Sequence, residues 1–138
     1  MLQAQLKVNV VTAAVDAMNT KSGEYEKSQK EQMYDGIASD NRMISPPYAP
    51  QTIKIKKFKG QPTDRVTLKD TGNFYAGIFT DKRADGFIID SKDSKANELQ
   101  EKYGEEIFGL ADYKKQPFID IVRPVFIGSI EQQLNNRQ

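Results

Sequence analysis

The first twenty residues place apolar side chains with the period of an α-helix, and we predict a helix over residues 3–20. The apolar positions form two adjacent stripes, so the face they cover is wider than one packing contact needs. The first stripe is Leu2, Leu6, Val10, Ala13 and Ala17, and the second is Val8, Val11, Val15 and Met18. Such a face fits either the core of this chain or a contact with another subunit, and the pattern leaves both open.

Polar residues dominate the next segment. We predict a solvated helix from Glu24 to Tyr34 that ends near Gly36. Residues 37–50 hold three of the six prolines and are predicted to be a loop with a short extended piece around 43–44.

The segment "PQTIKIKKFKG" at residues 50–60 fits two structures. Ile53 and Ile55 alternate with polar residues as in a strand. Pro50 at the start and Gly60 at the end favour a short helix, which is our prediction.

The segment "FYAGIFTDKRADGFIID" predicts a β-hairpin. Its first strand is expected over Phe74 to Thr80, its turn at Asp85-Gly86 and its return strand over Phe87 to Ile89. Val66 and Leu68 are predicted to belong to a short preceding strand.

Two further helices are predicted towards the C-terminus. The first runs from Ser94, as its cap, to Tyr103 and ends at Gly104. The second covers residues 112–134, with Pro117 in its first turn and Pro124 as a kink or a restart. Its apolar positions are Phe118, Ile119, Val122, Val125, Phe126, Ile130 and Leu134.

This order of elements predicts an α+β fold with N-terminal helices, a small antiparallel hairpin and C-terminal helices. The length of 138 residues fits a single domain over residues 1–138. Within it we predict an N-terminal helical arm (1–36), an α+β body (37–110) and a C-terminal helical segment (111–134).

The composition of the chain excludes several kinds of catalytic and metal-binding site. The chain lacks cysteine and histidine, which removes thiol nucleophiles, histidine bases and the usual zinc ligands. The net charge of +1 produces no global field, so any electrostatic role has to be local. No apolar run approaches the ~20 residues of a membrane span, and we expect no cofactor, no metal site and no membrane partner.

The tripeptide Asp70-Thr71-Gly72 matches the catalytic motif of aspartic proteases. Those enzymes share one proton between two carboxylates at the ends of buried strands, in a nearly all-β subunit. Here Lys69 precedes the motif, an aromatic pair follows it, and helical patterns occupy both ends of the chain. We therefore interpret the tripeptide as a turn and predict that the chain is not an enzyme.

The stretch "PPYAPQTIKIKKFKGQPTDRVTLKDTGNFYAGI" resembles the tail-completion and virion-morphogenesis proteins of tailed bacteriophages. In that family a Tyr-Ser/Ala-Pro-x-Thr segment leads through basic residues to Leu-x-Asp-Thr-Gly and a β-strand. The segments "EQMYDGI", "KYGEEIFGLAD" and "QPFIDIVRPVF" are similar to pieces of the same family, so the resemblance covers about residues 28–134.

The resemblance implies a structural virion protein at the head–tail junction, the neck or the proximal tail. Such a protein is made in the host bacterial cytoplasm, forms a homo-oligomeric ring and binds other neck, connector or tail proteins. Apolar residues near the two chain ends are the candidate subunit contacts, because a ring needs two different patches on each copy. They are Leu6, Val10, Val11, Val15, Phe118, Val122, Phe126 and Ile130.

A basic patch offers an alternative function. It consists of Lys54, Lys56, Lys57, Lys59, Arg65 and Lys69. The patch is interpreted as a solvated face, as a contact with an acidic neighbour, or as a surface that touches packaged DNA without reading its sequence. In the last case the chain would be a nucleic-acid-associated binding module.

Overall fold

The structure is a computed structural model that describes residues 2–135, with the side chains of residues 10–135. It confirms the α+β class: helices at both ends flank one antiparallel hairpin. The elements are α1 (Leu2–Thr20), α2 (Ser22–Tyr34), α3 (Pro50–Phe58), α4 (Asn73–Ala76), β1 (Ile78–Arg83), β2 (Gly86–Ser91), α5 (Ala96–Tyr103), a 3-10 turn (Glu105–Ile107) and α6 (Asp112–Asn135).

The hairpin forms where it was predicted, but its first strand starts later. In the antiparallel register Ile78 lies opposite Ser91 and Arg83 lies opposite Gly86. Phe74 belongs to the short helix α4 and not to the strand. It is buried in the core, and its carbonyl oxygen accepts a 2.9 Å hydrogen bond from the Ser91 hydroxyl.

Helix α2 is not the solvated helix that its composition predicts. Gln29 and Gln32 have no exposed surface, and each side chain makes hydrogen bonds to the backbone between residues 107 and 111. Gln29 bonds the Ile107 carbonyl and the Gly109 N–H, while Gln32 bonds the Gly109 carbonyl and the Ala111 N–H. Because buried polar groups cost free energy unless they are paired, these glutamines fix the 107–111 segment on α2.

Aromatic rings connect three elements near the N-terminal end of α2. Tyr25 meets the ring of Phe87 at 4.8 Å and that of Phe118 at 5.1 Å between centroids, both edge to face. This is the geometry that aromatic pairs prefer. It joins α2, β2 and the start of α6, and α1 packs along α6 beside it.

Two local predictions are corrected. Ser94 does not cap α5, which begins at Ala96 with Lys95 at the capping position and no side-chain cap bond. Val66 and Leu68 are buried but do not form a strand. The Tyr48 hydroxyl, instead of a neighbouring strand, accepts the hydrogen bond from the Thr67 N–H at 2.9 Å.

Helix α6 has the predicted extent, and its prolines are placed differently. Pro117 lies beyond the first turn because the helix begins at Asp112, where Asn41 accepts a 2.8 Å hydrogen bond from the Asp112 N–H. The helix continues through Pro124 without the predicted restart. Among the helices of residues 2–135, none is both long and apolar enough to cross a membrane.

Candidate subunit interface

Helix α6 carries several apolar side chains that the rest of the chain leaves exposed. Its 24 residues span about 36 Å. Phe118 alone among its described side chains is buried, whereas Ile119, Ile121, Ile127 and Leu134 are 37–49% exposed. A series of exposed apolar side chains on one element is a candidate interaction surface.

The exposed side chains lie on two sides of α6. At about 100° per residue, Ile119, Ile127 and Leu134 fall within roughly 80° of one another. Ile121 points at least about 120° away from each of the three. We call the first side the outer stripe, defined by Ile119, Ile127 and Leu134, and the second the Ile121 side. The helix can therefore touch apolar surfaces in two directions.

An apolar groove continues the outer stripe towards α1. It has a volume of about 350 Å³ and is lined on the α1 side by Ala14 and Met18. On the α6 side its lining includes Phe118, Ile119, Val122 and Phe126. Val10 and Val11 extend the exposed apolar surface along α1.

The predicted subunit contacts divide between core and surface. Val10 and Val11 are exposed, and Val122, Phe126 and Ile130 are partly exposed. Val15 and Phe118 are buried within the chain, so each offers a neighbour little surface. The side chain of Leu6 lies outside the described side chains.

The two chain ends also do not form separate arms. Because α1 and α6 pack together, the two ends of the chain form one helix pair. The outer stripe and the Ile121 side are two separate exposed apolar surfaces of α6. The apolar residues Ile119, Ile121, Ile127 and Leu134 can be read from the sequence. Its periodicity does not tell which apolar residues of α6 the rest of the chain covers.

The basic patch is split by the fold. Lys56, Lys59 and Lys69 line a pocket beside the Asp70–Gly72 turn, whereas Lys54 and Lys57 are exposed on α3 outside it. Arg65 is engaged elsewhere: its Nε donates to the Tyr34 carbonyl at 2.7 Å, and its guanidinium pairs with Asp64 at 2.8 Å.

The Asp70–Gly72 tripeptide forms a turn that starts α4. The Thr71 hydroxyl accepts a hydrogen bond from the Asn73 N–H at 3.4 Å, and Gly72 adopts φ +93°, a left-handed angle that suits glycine. Asp70 is exposed and pairs with Lys59 at 2.9 Å. The hydrogen bond and the charge of Lys59 hold the pKa of the Asp70 carboxyl below its ordinary value.

This environment differs from that of a protease carboxyl. In a catalytic dyad, a second carboxylate nearby raises the pKa of one acid so that the pair shares a proton. The nearest charge to Asp70 is an ammonium group, which favours the ionised form. The geometry therefore gives Asp70 a role in joining α3 to the turn.

Comparison of the chain with protein-family models, with curated proteins and with solved structures gave no match.

Proposed function

We propose that the chain is a structural subunit of a tailed-phage virion that associates with copies of itself into a ring at the head–tail junction, the neck or the proximal tail. Two findings support this proposal. The first is the resemblance of residues 28–134 to tail-completion and virion-morphogenesis proteins. The second, which supports self-association most directly, is the exposed apolar surface on two sides of α6.

The two sides of α6 favour a head-to-tail contact. An isologous dimer buries the same patch of both copies and leaves the other side of the helix in water. In a head-to-tail ring, the outer stripe of one copy meets the Ile121 side of the next, so both apolar surfaces are covered. Exposed apolar residues on two sides of α6 thus favour a head-to-tail contact over a two-fold dimer, and a ring is the closed form of such a contact.

Cross-linking distinguishes the two arrangements, because the chain has no cysteine of its own. We expect the double variant Ile121→Cys/Ile127→Cys, treated with a short bis-maleimide, to give a ladder of covalent oligomers on a denaturing gel. Each single variant should stay mostly monomeric, since in a head-to-tail contact one copy's Ile121 side faces the other copy's outer stripe.

Two results would contradict the head-to-tail contact. Covalent dimers from either single variant would show that a side of α6 meets its own copy, as in an isologous pair. A double variant that remains monomeric at the highest soluble concentration would show that these two sides do not meet. The variant Met43→Cys/Phe58→Cys controls for random collisions, because both of its positions are exposed and lie outside α1 and α6.

A further inference from the structure

A second surface feature lies away from α6. A pocket of about 330 Å³ opens between α3, the Asp70–Gly72 turn and the region of α5. Its size is at the lower end of the roughly 300–1,000 Å³ typical of ligand pockets. Apolar side chains form part of its lining, namely Ile55, Leu68, Phe74 and Leu99. The space suits one large apolar side chain better than a whole folded element.

Positive charge surrounds this apolar lining. The pocket is lined by five lysines and two aspartates: Lys56, Lys59, Lys69, Lys95, Lys102, Asp70 and Asp93. Asp70 is already paired with Lys59. None of the other four lysines forms an ion pair with a carboxylate among residues 10–135. With five lysines against two aspartates in its lining, the pocket has an excess of cations that no ion pair among the described side chains neutralises.

Lys56 holds one of these charges inside the wall of the pocket. The residue is only 8% exposed, and its ammonium donates to the Lys69 carbonyl at 3.0 Å and to the Gln61 side-chain oxygen at 3.3 Å. It also lies 4.8 Å from the centre of the Tyr48 ring. All of these partners are neutral, so a positive charge stands fixed where the local dielectric constant is lower than in water.

We propose that this pocket binds an acidic peptide segment of a partner protein. One aromatic or large aliphatic side chain of the peptide enters the pocket, and the carboxylates on either side of it in the peptide meet the lysines at the rim. Lysine ammonium groups at the rim suit carboxylates as compact point charges. The apolar lining suits the inserted side chain, whose burial favours binding. Apolar anchor and charged rim together provide the complementarity that selects such a segment.

Nucleic acid matches this site less well. A DNA duplex presents its phosphates on a convex surface, which would touch the lysines and leave the apolar lining uncovered. Unpaired bases need free aromatic faces for stacking. The two tyrosines of the pocket already have ammonium groups over their rings, Lys56 over Tyr48 at 4.8 Å and Lys102 over Tyr103 at 5.3 Å.

This inference goes beyond the proposed ring and does not rest on it, because α6 contributes no residue to the pocket. The chain could self-associate without binding the peptide, or bind the peptide without self-associating, and separate measurements distinguish these outcomes. The test therefore uses the intact chain together with pocket variants that leave α1 and α6 unchanged.

Fluorescence anisotropy with a labelled Glu-Glu-Phe-Glu-Glu peptide tests the site. Replacing the phenylalanine of the peptide by alanine should weaken binding at least about tenfold. The variant Lys95→Ala/Lys102→Ala should also weaken it about tenfold or more. Both lysines are exposed, so the variant is expected to fold, and thermal melting checks this.

The variant Lys54→Ala/Lys57→Ala is the matched control. It removes the same charge from exposed positions that do not line the pocket, and binding should stay within about twofold of that of the unchanged chain. Equal losses in the two double variants would overturn the proposal, since they would show attraction to net charge alone. Absence of peptide binding would overturn it too. So would tight binding of a labelled DNA duplex that only the pocket variant weakens, which would assign the site to nucleic acid.

Discussion

The double variant Ile127→Asp/Leu134→Asp is expected to weaken the proposed self-association of the chain by at least about a hundredfold. Both residues belong to the outer stripe of α6 and are almost half exposed in the single chain. Burying such a side chain against a neighbour contributes about 1.5–3 kcal/mol at most, and a carboxylate in its place would have to be desolvated without a partner. Sedimentation velocity over a concentration series measures the effect.

A control variant separates this effect from a general change of surface charge. Met43→Asp/Phe58→Asp introduces the same two carboxylates in place of apolar residues that are 60% and 94% exposed, outside α1 and α6. Its sedimentation should match that of the unchanged chain. If both variants dissociate equally, or if the α6 variant sediments like the unchanged chain, the outer stripe is not the contact.

Replacing Gln32 by leucine is expected to lower the free energy of unfolding by about 2–4 kcal/mol. Because leucine is similar in size to glutamine, the lost stability comes from hydrogen bonds. The Ala111 N–H and the Gly109 carbonyl lose their partners at 2.6 and 2.9 Å. Gln32 is completely buried, which keeps water from replacing the missing groups. Denaturant unfolding followed by circular dichroism gives the difference.

Gln51→Leu provides the matched comparison, because Gln51 is exposed on α3. It should change the free energy of unfolding by less than about 0.5 kcal/mol. A Gln32→Leu variant as stable as Gln51→Leu would mean that the 107–111 segment is held by its apolar residues alone.

The long helices and the hairpin could be predicted because their signals are local. Apolar periodicity defines α1 and α6, and the Asp85-Gly86 pair marks the turn between β1 and β2. The role of Gln29 and Gln32 could not be predicted in this way. Their partners lie 77–80 residues away in the chain, and a polar helix in solvent has the same composition as one that clamps a distant loop.

The same limit applies to α4 and to the basic patch. Phe74 and Tyr75 favour a strand by propensity, but the Gly72 turn and the burial of Phe74 place them in a short helix. Six basic residues look alike in the sequence. Only the packing of α3 against the Asp70–Gly72 turn buries Lys56 and leaves Lys54 and Lys57 in solvent.

The exposed surface of α6 depends on which of its residues the rest of the chain covers. The periodicity of the sequence cannot show this. An amphipathic pattern identifies the apolar positions of α6. Which of these positions α1 and α2 cover follows from the three-dimensional packing. Val15 and Phe118 fall on the covered side, and Ile119 and Ile127 on the uncovered one.

Quantitative mass spectrometry of purified phage particles from the source of this sequence tests the proposed role in a virion most directly. The peptides of the chain, measured against those of the portal protein, should give a fixed copy number per particle, as a closed ring requires. Particles that carry the chain in no fixed proportion, or not at all, would contradict its assignment as a structural subunit of the virion.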